Sequence, residues 1–156
     1  MTANLADRVE GLDGPCRETD GLIAKAMGWT TVAPPRDSDR PLPSLWVAPD
    51  GAQHMAFPPH WTGSLDAVVA LIEKELPGWA WKVGTCCVSD DGWVVPDFNC
   101  PTHGERLRKQ FVDFAAGSPE DTGIDVDKRP SGTPAIALLA AFLRGYALHL
   151  RAKGGE

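Results

Sequence analysis

The chain has 156 residues, a length that suits one compact domain and leaves little room for a second core. Its formal net charge of -6 argues against binding of bulk nucleic acid or of anionic membranes, which usually requires a basic face. The sequence has no uninterrupted apolar run of about 18 residues and no basic, apolar leader, so we expect a cytoplasmic protein without membrane spans. In that compartment the four cysteines would be reduced.

The first predicted elements are two helices. Apolar residues recur at helical spacing over residues 5–12, which predicts a short helix that ends near the glycines at 11 and 14. The stretch "DGPCRETDGLIAKAMGW" predicts a second helix. Asp13 is its expected cap, Pro15 lies in its first turn, and Gly28 is a left-handed terminator.

Two hairpins separated by a helix come next. "WTTV" can begin a strand, and after a proline-rich loop at 33–44 the stretch "SLWVAPDGAQHMAF" predicts a hairpin that turns at 49–51. Apolar positions recur at helical spacing over 65–76, until Pro77 ends the pattern. The stretch "WAWKVGTCCVSDDGWVVPDF" then predicts a second hairpin with its turn at 91–92.

The second hairpin places three apolar side chains on one face, which we expect to be buried: Trp79, Trp81 and Val83. Residues 105–116 fit a helix as well as a strand, so both remain open. The last helix begins with Thr133 as its cap and Pro134 at the first helical position. Because hairpins imply antiparallel pairing, the order of elements predicts an α+β fold in a single domain over 1–156.

Three blocks, "GPCRETDGLIAKAMGWT", "WTGSLDAVVALIEKELPGWAWKVG" and "GTPAIALLAAFLRG", occur in this order and cover roughly a third to a half of the chain. Together they resemble the phage ABA sandwich domain family, which consists of small proteins of tailed phages and prophages. The resemblance implies an antiparallel β-sheet sandwiched between α-helices, an αβα sandwich. It implies no catalytic residue and no cofactor.

The stretch "HWTGSLD" places a histidine, a serine and a carboxylate beside an indole. His60, Ser64 and Asp66 are the residue types of a nucleophilic set, but a G-x-S-x-G signature is absent. The favoured interpretation is a helix start, which Thr62 or Gly63 opens and in which Asp66 meets the positive end of the helix dipole. No catalytic residue is therefore assigned.

A helix start with free amides can bind an anion, and two predicted helices begin after glycine and hydroxyl residues. With the flat rings of His60 and Trp61 as stacking surfaces, these starts predict binding of a small anionic, nucleotide-like ligand. The predicted ligand-binding residues are His60, Trp61, Thr62, Gly63 and Ser64 at the first start, and Lys128, Arg129, Ser131, Gly132 and Thr133 at the second. The second start is the better phosphate site, because Asp66 counts against an anion at the first.

Cys100 and His103 have a C-x-x-H spacing that suits zinc, and Cys86 and Cys87 lie upstream. Structural zinc sites usually have two close pairs of ligands. Adjacent residues on a strand point to opposite faces, so Cys86 and Cys87 form a defective second pair. We therefore assign no metal site, and small buried hydrophobes are the alternative for the two strand cysteines.

These observations predict a non-enzymatic protein of phage type that sequesters a small nucleotide-derived ligand, such as a host-defence signal. Antiparallel sheet edges and exposed tryptophans also allow a homodimer. Two alternatives stay open. One is a protein-interaction module that uses the proline-rich loop and three tryptophans near loops: Trp46, Trp61 and Trp93. The other is a nucleotide hydrolase with one of three histidines as base: His54, His60 or His103.

Overall fold

A computed structural model describes residues 2–33, 43–85, 90–110 and 133–154. Within these ranges the chain forms helices and two antiparallel sheets, which confirms the α+β class. The helices are α1 (Thr2–Glu10), α2 (Arg17–Ala26), α3 (Leu65–Glu75), α4 (Gly104–Gln110) and α5 (Pro134–Ala152). The strands are β1 (Thr30–Val32), β2 (Leu45–Val47), β3 (Gln53–Met55), β4 (Trp79–Thr85) and β5 (Asp90–Pro96). Because the described strands form two separate sheets, the αβα sandwich stays a prediction.

The core is built around α5. As predicted, Thr133 caps this helix, and its hydroxyl accepts a hydrogen bond from the Ile136 amide at 3.3 Å, followed by Pro134 in the first turn. Helix α5 packs against α1, α3 and both strands of the second sheet. Its fully buried large side chains include Leu138, Leu139, Phe142 and Leu143. Burial of this apolar band is the main contribution of α5 to the stability of the fold.

Among the described residues, α5 is also the one helix long and apolar enough to cross a membrane by length and composition. In its most apolar 18-residue window, 61% of the residues are buried inside the domain. A core helix that packs on several other elements passes the same test of length and composition. The packing of α5 accounts for its apolar character within this fold.

Strands β4 and β5 form the predicted second hairpin, but the predicted turn at 91–92 is wrong. In the register of the two strands Val83 pairs with Gly92 and Gly84 with Asp91, so both turn candidates lie within β5. Residues 86–89, which connect the strands, lie outside the described residues. Gly92 is needed for packing instead, because a Cβ atom at this position would overlap the backbone of Ala137 in α5.

The prediction that Trp79 and Trp81 are both buried is half correct. Trp79 lies under α5, where a Cβ atom on Gly145 would be 3.0 Å from its ring. Trp81 is 38% exposed, although it shares a face with Trp79. Helix α5 therefore covers this face of β4 at Trp79 and leaves it open at Trp81.

The sequence left helix and strand open for residues 105–116. Residues 105–110 belong to helix α4, and 111–116 lie outside the described residues.

The first sheet has the order β1-β2-β3 and contains the predicted hairpin, which turns at 49–51. Thr31, Trp46 and His54 pair across the three strands and share its inner face. The next row is formed by Val32, Leu45 and Met55 on the outer face, where Val32 is 50% and Met55 69% exposed. The inner face is therefore covered at Trp46 and His54 but not at Thr31, and the outer face is open at Val32 and Met55.

The buried imidazole of His149 in α5 predicts a pH-dependent stability. Among the described residues neither ring nitrogen has a hydrogen-bond partner, and the ring lies edge-on to Trp79 at a centroid distance of 6.2 Å. Burial, and to a smaller extent the charges of Lys153 and Arg106, lowers the pKa of His149 below 6.5. The unfolded chain then binds the proton more readily than the folded protein. The contribution of the neutral His149 to the free energy of unfolding is therefore fully present above about pH 6.5, and it decreases as the pH falls from there to the lowered pKa.

We expect the free energy of unfolding to fall by up to about 1.4 kcal/mol per pH unit in that window. Urea denaturation at about pH 7.5 and about pH 5.5 measures the loss. The substitution His149→Leu removes the titrating group and reduces this loss. Equal pH dependence in the variant and the wild type would contradict the assignment to His149.

Candidate functional site

The predicted helix start at "HWTGSLD" is confirmed, with one correction to its cap. Helix α3 begins after Ser64, whose hydroxyl accepts a hydrogen bond from the Ala67 amide at 3.3 Å. Ser64 is therefore the cap, and the prediction of Thr62 or Gly63 is wrong because these two residues lie in the preceding turn. Asp66 is exposed in the first helical turn, as expected for a carboxylate at this end of the dipole.

The carboxylate that His60 contacts comes from α2 and not from Asp66. Asp20 has 0% exposure, and one of its oxygens lies 2.8 Å from the Nδ1 atom of His60. Its other oxygen accepts a hydrogen bond from the Thr62 amide, also at 2.8 Å. The Arg17 guanidinium lies 3.8 Å from the carboxylate and supplies a compensating charge. A buried anion with these partners fixes the loop before α3 onto α2.

The prediction of free amides at this helix start is wrong for two of its residues. The Thr62 amide donates to the buried Asp20, and the Gly63 amide donates to the His60 carbonyl at 3.2 Å. Neither amide is therefore available to an external anion. The local sequence gives no sign of this, because Asp20 lies about forty residues upstream.

A second pair of hydrogen bonds in the same region corrects the start of α2. The Thr62 hydroxyl accepts from the Cys16 amide at 2.8 Å and donates to the Cys16 carbonyl at 3.3 Å. These bonds hold Cys16 in an extended conformation, so α2 begins at Arg17 with Cys16 as its N-terminal boundary. The predicted cap Asp13 is therefore wrong, whereas Gly28 ends the helix region with a positive φ of 82° as predicted.

Trp61 is not the open stacking surface that the sequence suggested. Its side chain is 2% exposed and meets Trp29 edge-on at a centroid distance of 5.8 Å. The ring belongs to the core, and only its margin borders a small recess beside α3. The His60 ring is partly exposed, but its Nε2 edge lies against Gly63.

The second predicted anion site is only partly described. Thr133 is the cap of α5, and Lys128, Arg129, Ser131 and Gly132 lie outside the described residues. Anion binding at "KRPSGT" stays a prediction.

The candidate zinc ligands are also divided between described and undescribed parts of the chain. The Cys100 sulfur lies 3.6 Å from Nδ1 of His103, within one turn before α4. Cys86 and Cys87 lie outside the described residues. In the described part of the chain, no group of three or more histidine, cysteine or carboxylate side chains could hold a metal ion. Within the described residues, Cys100 and His103 therefore form a pair and not part of a larger cluster of metal-ligand types.

A groove lies between α2 and the first sheet. Its volume is about 540 Å³, which is within the range of small-molecule sites. We call it the α2 groove, and it is lined by Arg17, Glu18, Gly21, Leu22, Lys25, Thr31, Ser44, Trp46, Ala56, Phe57 and Pro58. None of the sequence-predicted ligand residues lies in this lining.

Two cations of α2 lie on the wall of the α2 groove. Arg17 stacks over the Phe57 ring at 5.4 Å and donates a hydrogen bond to the Pro58 carbonyl at 3.3 Å, so its guanidinium is held in place. Lys25 is exposed and has no ion pair within the described ranges. The one carboxylate of the lining, Glu18, pairs with Arg8 at 2.8 Å. Arg17 compensates the buried Asp20 and Glu18 is paired with Arg8, so it is Lys25 that gives the groove a net positive wall in a protein whose overall charge is negative.

The opposite wall contains the strained residue Ala56. Its φ angle is +67°, a conformation that residues with a side chain rarely adopt. Two hydrogen bonds hold it: its amide donates to the Ser44 carbonyl at 2.9 Å, and its carbonyl accepts from the Trp46 indole N–H at 3.3 Å. Such strain is often found at binding sites, where the surrounding structure fixes a special backbone geometry. Here it orients Trp46 and Phe57 at the groove.

The sequence does contain a signal for this groove. Arg17, Gly21 and Lys25 follow at intervals of four, so they form one stripe on a helix with the smallest residue between two cations. The two aromatic residues across from this stripe carry no comparable signal, because Trp46 lies in β2 and Phe57 in the turn after β3, far from α2 in sequence.

Comparison with known proteins gives no match: no family model, no curated protein and no solved structure is similar to this chain. Membership of the phage ABA sandwich domain family therefore stays a prediction.

Proposed function

We propose that the protein is a non-enzymatic binding protein for a small anionic, nucleotide-like ligand, and that the α2 groove is its binding site. The observation that carries this proposal is the pairing of two cations, Arg17 and Lys25, with two aromatic side chains, Trp46 and Phe57, around one recess. Cations suit phosphate or carboxylate groups, and aromatic rings suit a planar base. This chemistry agrees with the ligand class expected from the sequence, at a different place.

The spacing of the cations supports a ligand with separated anionic groups. Arg17 and Lys25 are eight residues apart on α2, which corresponds to about 12 Å along the helix axis. Arg17 is fixed by its contacts with Phe57 and Pro58, whereas Lys25 can adjust its long side chain. A fixed guanidinium and a mobile ammonium together accommodate ligands of somewhat different length.

A hydrolase receives less support. The His60–Asp20 pair has the geometry of the base and orienting acid in many hydrolases. Within the described part of the chain, however, no hydroxyl or thiol is hydrogen-bonded to His60, and the Ser64 hydroxyl caps α3. His60 also does not line the α2 groove. We therefore favour binding, and we attribute a role in sequestering a host-defence signal to the family resemblance alone.

A second candidate is a protein-interaction module, including self-association as a homodimer. It is favoured by the open face of the first sheet, on which Val32 and Met55 are largely exposed. Of the tryptophans expected to dock, Trp46 lies on the opposite face of this sheet and Trp61 is buried. A stoichiometric protein partner in a pull-down, with no small molecule bound, would favour this candidate over the first.

Reversing the charge of Lys25 is expected to weaken ligand binding by about tenfold, because one favourable ion pair is lost and one repulsive contact is gained. Isothermal titration with cyclic nucleotides and cyclic ADP-ribose isomers identifies a ligand, and the same titration is repeated with Lys25→Glu. The matched control is Lys82→Glu, an exposed lysine on β4 that does not line the groove. No heat with any member of the panel, or equal losses in both variants, would contradict the proposal.

A further inference from the structure

A second recess, of about 200 Å³, lies between α3 and the inner face of the first sheet. We call it the α3 pocket. Its walls include Trp29, His54, Trp61, Leu71, Lys74 and Glu75. It shares no lining residue with the α2 groove, so a substitution in the lining of one recess leaves the lining residues of the other unchanged. Its volume suits a small organic group and is below that of typical drug-sized sites.

Aromatic side chains form one wall of the α3 pocket. The ring of Trp29 lies 5.4 Å from that of His54 and 5.8 Å from that of Trp61, tilted to the first and edge-on to the second. The half-buried rings of Trp29 and His54 lie at the recess, whereas the buried Trp61 borders it only with its margin. The negative face of an indole attracts a cation, and quaternary ammonium groups are bound in this way in many proteins.

The charges around the α3 pocket leave one carboxylate without compensation. Lys74 forms an ion pair with Asp50 at 2.6 Å, and this bond is the largest of the effects that lower the pKa of Asp50. Glu75, by contrast, has no ion pair within the described ranges. The pKa of Tyr146 is raised by burial and, secondarily, by the charge of Glu75.

We propose that the α3 pocket binds a small organic cation, with its ammonium group between Glu75 and the aromatic wall. The carboxylate supplies the charge, the half-buried Trp29 indole supplies a cation–π contact, and the small side chains of α3 that face the pocket leave space for methyl groups. The net charge of -6 also favours the approach of a cation over that of an anion.

Choline and its uncharged carbon analogue dimethylbutanol distinguish charge recognition from simple filling of an apolar pocket. We expect choline to bind, with chemical-shift changes at the indole N–H groups of Trp29 and Trp61, and dimethylbutanol to bind at least about fivefold more weakly. Equal binding of the two compounds, or no binding of choline at millimolar concentration, would overturn the proposal.

The substitution Glu75→Gln keeps the size of the side chain and removes its charge. We expect it to weaken choline binding by about fivefold. Glu73→Gln is the matched control, because Glu73 is exposed on the same helix and does not line the pocket. Circular dichroism verifies that both variants are folded. An unchanged affinity in a folded Glu75→Gln variant would contradict the role of this carboxylate.

Discussion

Replacing Gly92 with valine is expected to lower the free energy of unfolding by about 3 kcal/mol. Gly92 is buried in β5 where the strand crosses the first turns of α5. A side chain there would overlap the carbonyl group of Ala137, and backbone atoms of a core helix cannot move aside like the end of a flexible side chain. The strand and the helix would have to separate, which would open the core on both sides.

Urea denaturation measures this loss. Gly14→Ala is the matched control, since a Cβ atom at Gly14 meets nothing within 4 Å. We expect the control to change stability by no more than about 0.5 kcal/mol. If Gly92→Val unfolds at the same urea concentration as the wild type, β5 and α5 do not pack as closely as described.

Removing the carboxylate of Asp20 is the second substitution with a large expected effect. In Asp20→Ala the buried Thr62 amide loses its acceptor and His60 loses its partner, and the expected cost is about 3 kcal/mol. The side chain of Asp20→Asn still offers an oxygen to the Thr62 amide, so we expect a smaller loss for this variant. Loosening of the nearby Arg17 is also expected to weaken binding in the α2 groove.

Thermal or urea denaturation of Asp20→Ala is compared with that of Asp66→Ala. Asp66 is exposed in the first turn of α3, so its removal should cost only about 0.5 kcal/mol. A larger loss for Asp66→Ala than for Asp20→Ala would mean that the local carboxylate, and not the distant one, supports the loop at His60.

Features that depend on neighbouring residues were predictable from the sequence. The cap and first proline of α5, the turn of the first hairpin and the apolar stripe of α3 each follow from a few adjacent positions. The α+β class follows in turn from the order of these elements. These predictions succeeded because the local preferences agree with the packing of the whole domain.

Features that depend on distant residues were not predictable. Asp66 is near His60 in sequence, yet Asp20 contacts it because α2 lies against the loop before α3. Gly92 resembles a turn residue, and only the position of α5 explains why glycine is needed there. The α2 groove combines a helix stripe with Trp46 of β2 and Phe57 after β3, and no single motif contains all of them.

The two recesses have opposite charge. Within the described ranges, the cation without an ion pair in the α2 groove is Lys25, and the carboxylate without one in the α3 pocket is Glu75. They lie beside the same inner face of the first sheet, where Trp46 and His54 are directly paired. The cation proposal can fail while the anion proposal holds, because no residue belongs to both linings.

We propose that an anionic, nucleotide-like ligand binds in the α2 groove, and one measurement tests this directly. Titration of ¹⁵N-labelled protein with AMP, or with a tighter ligand from the calorimetric panel, locates the site directly by chemical-shift changes. We predict the largest changes at the Gly21 and Lys25 amides and at the Trp46 indole N–H. Changes confined to the start of α5 at Thr133, or no changes at saturating ligand, would contradict the account.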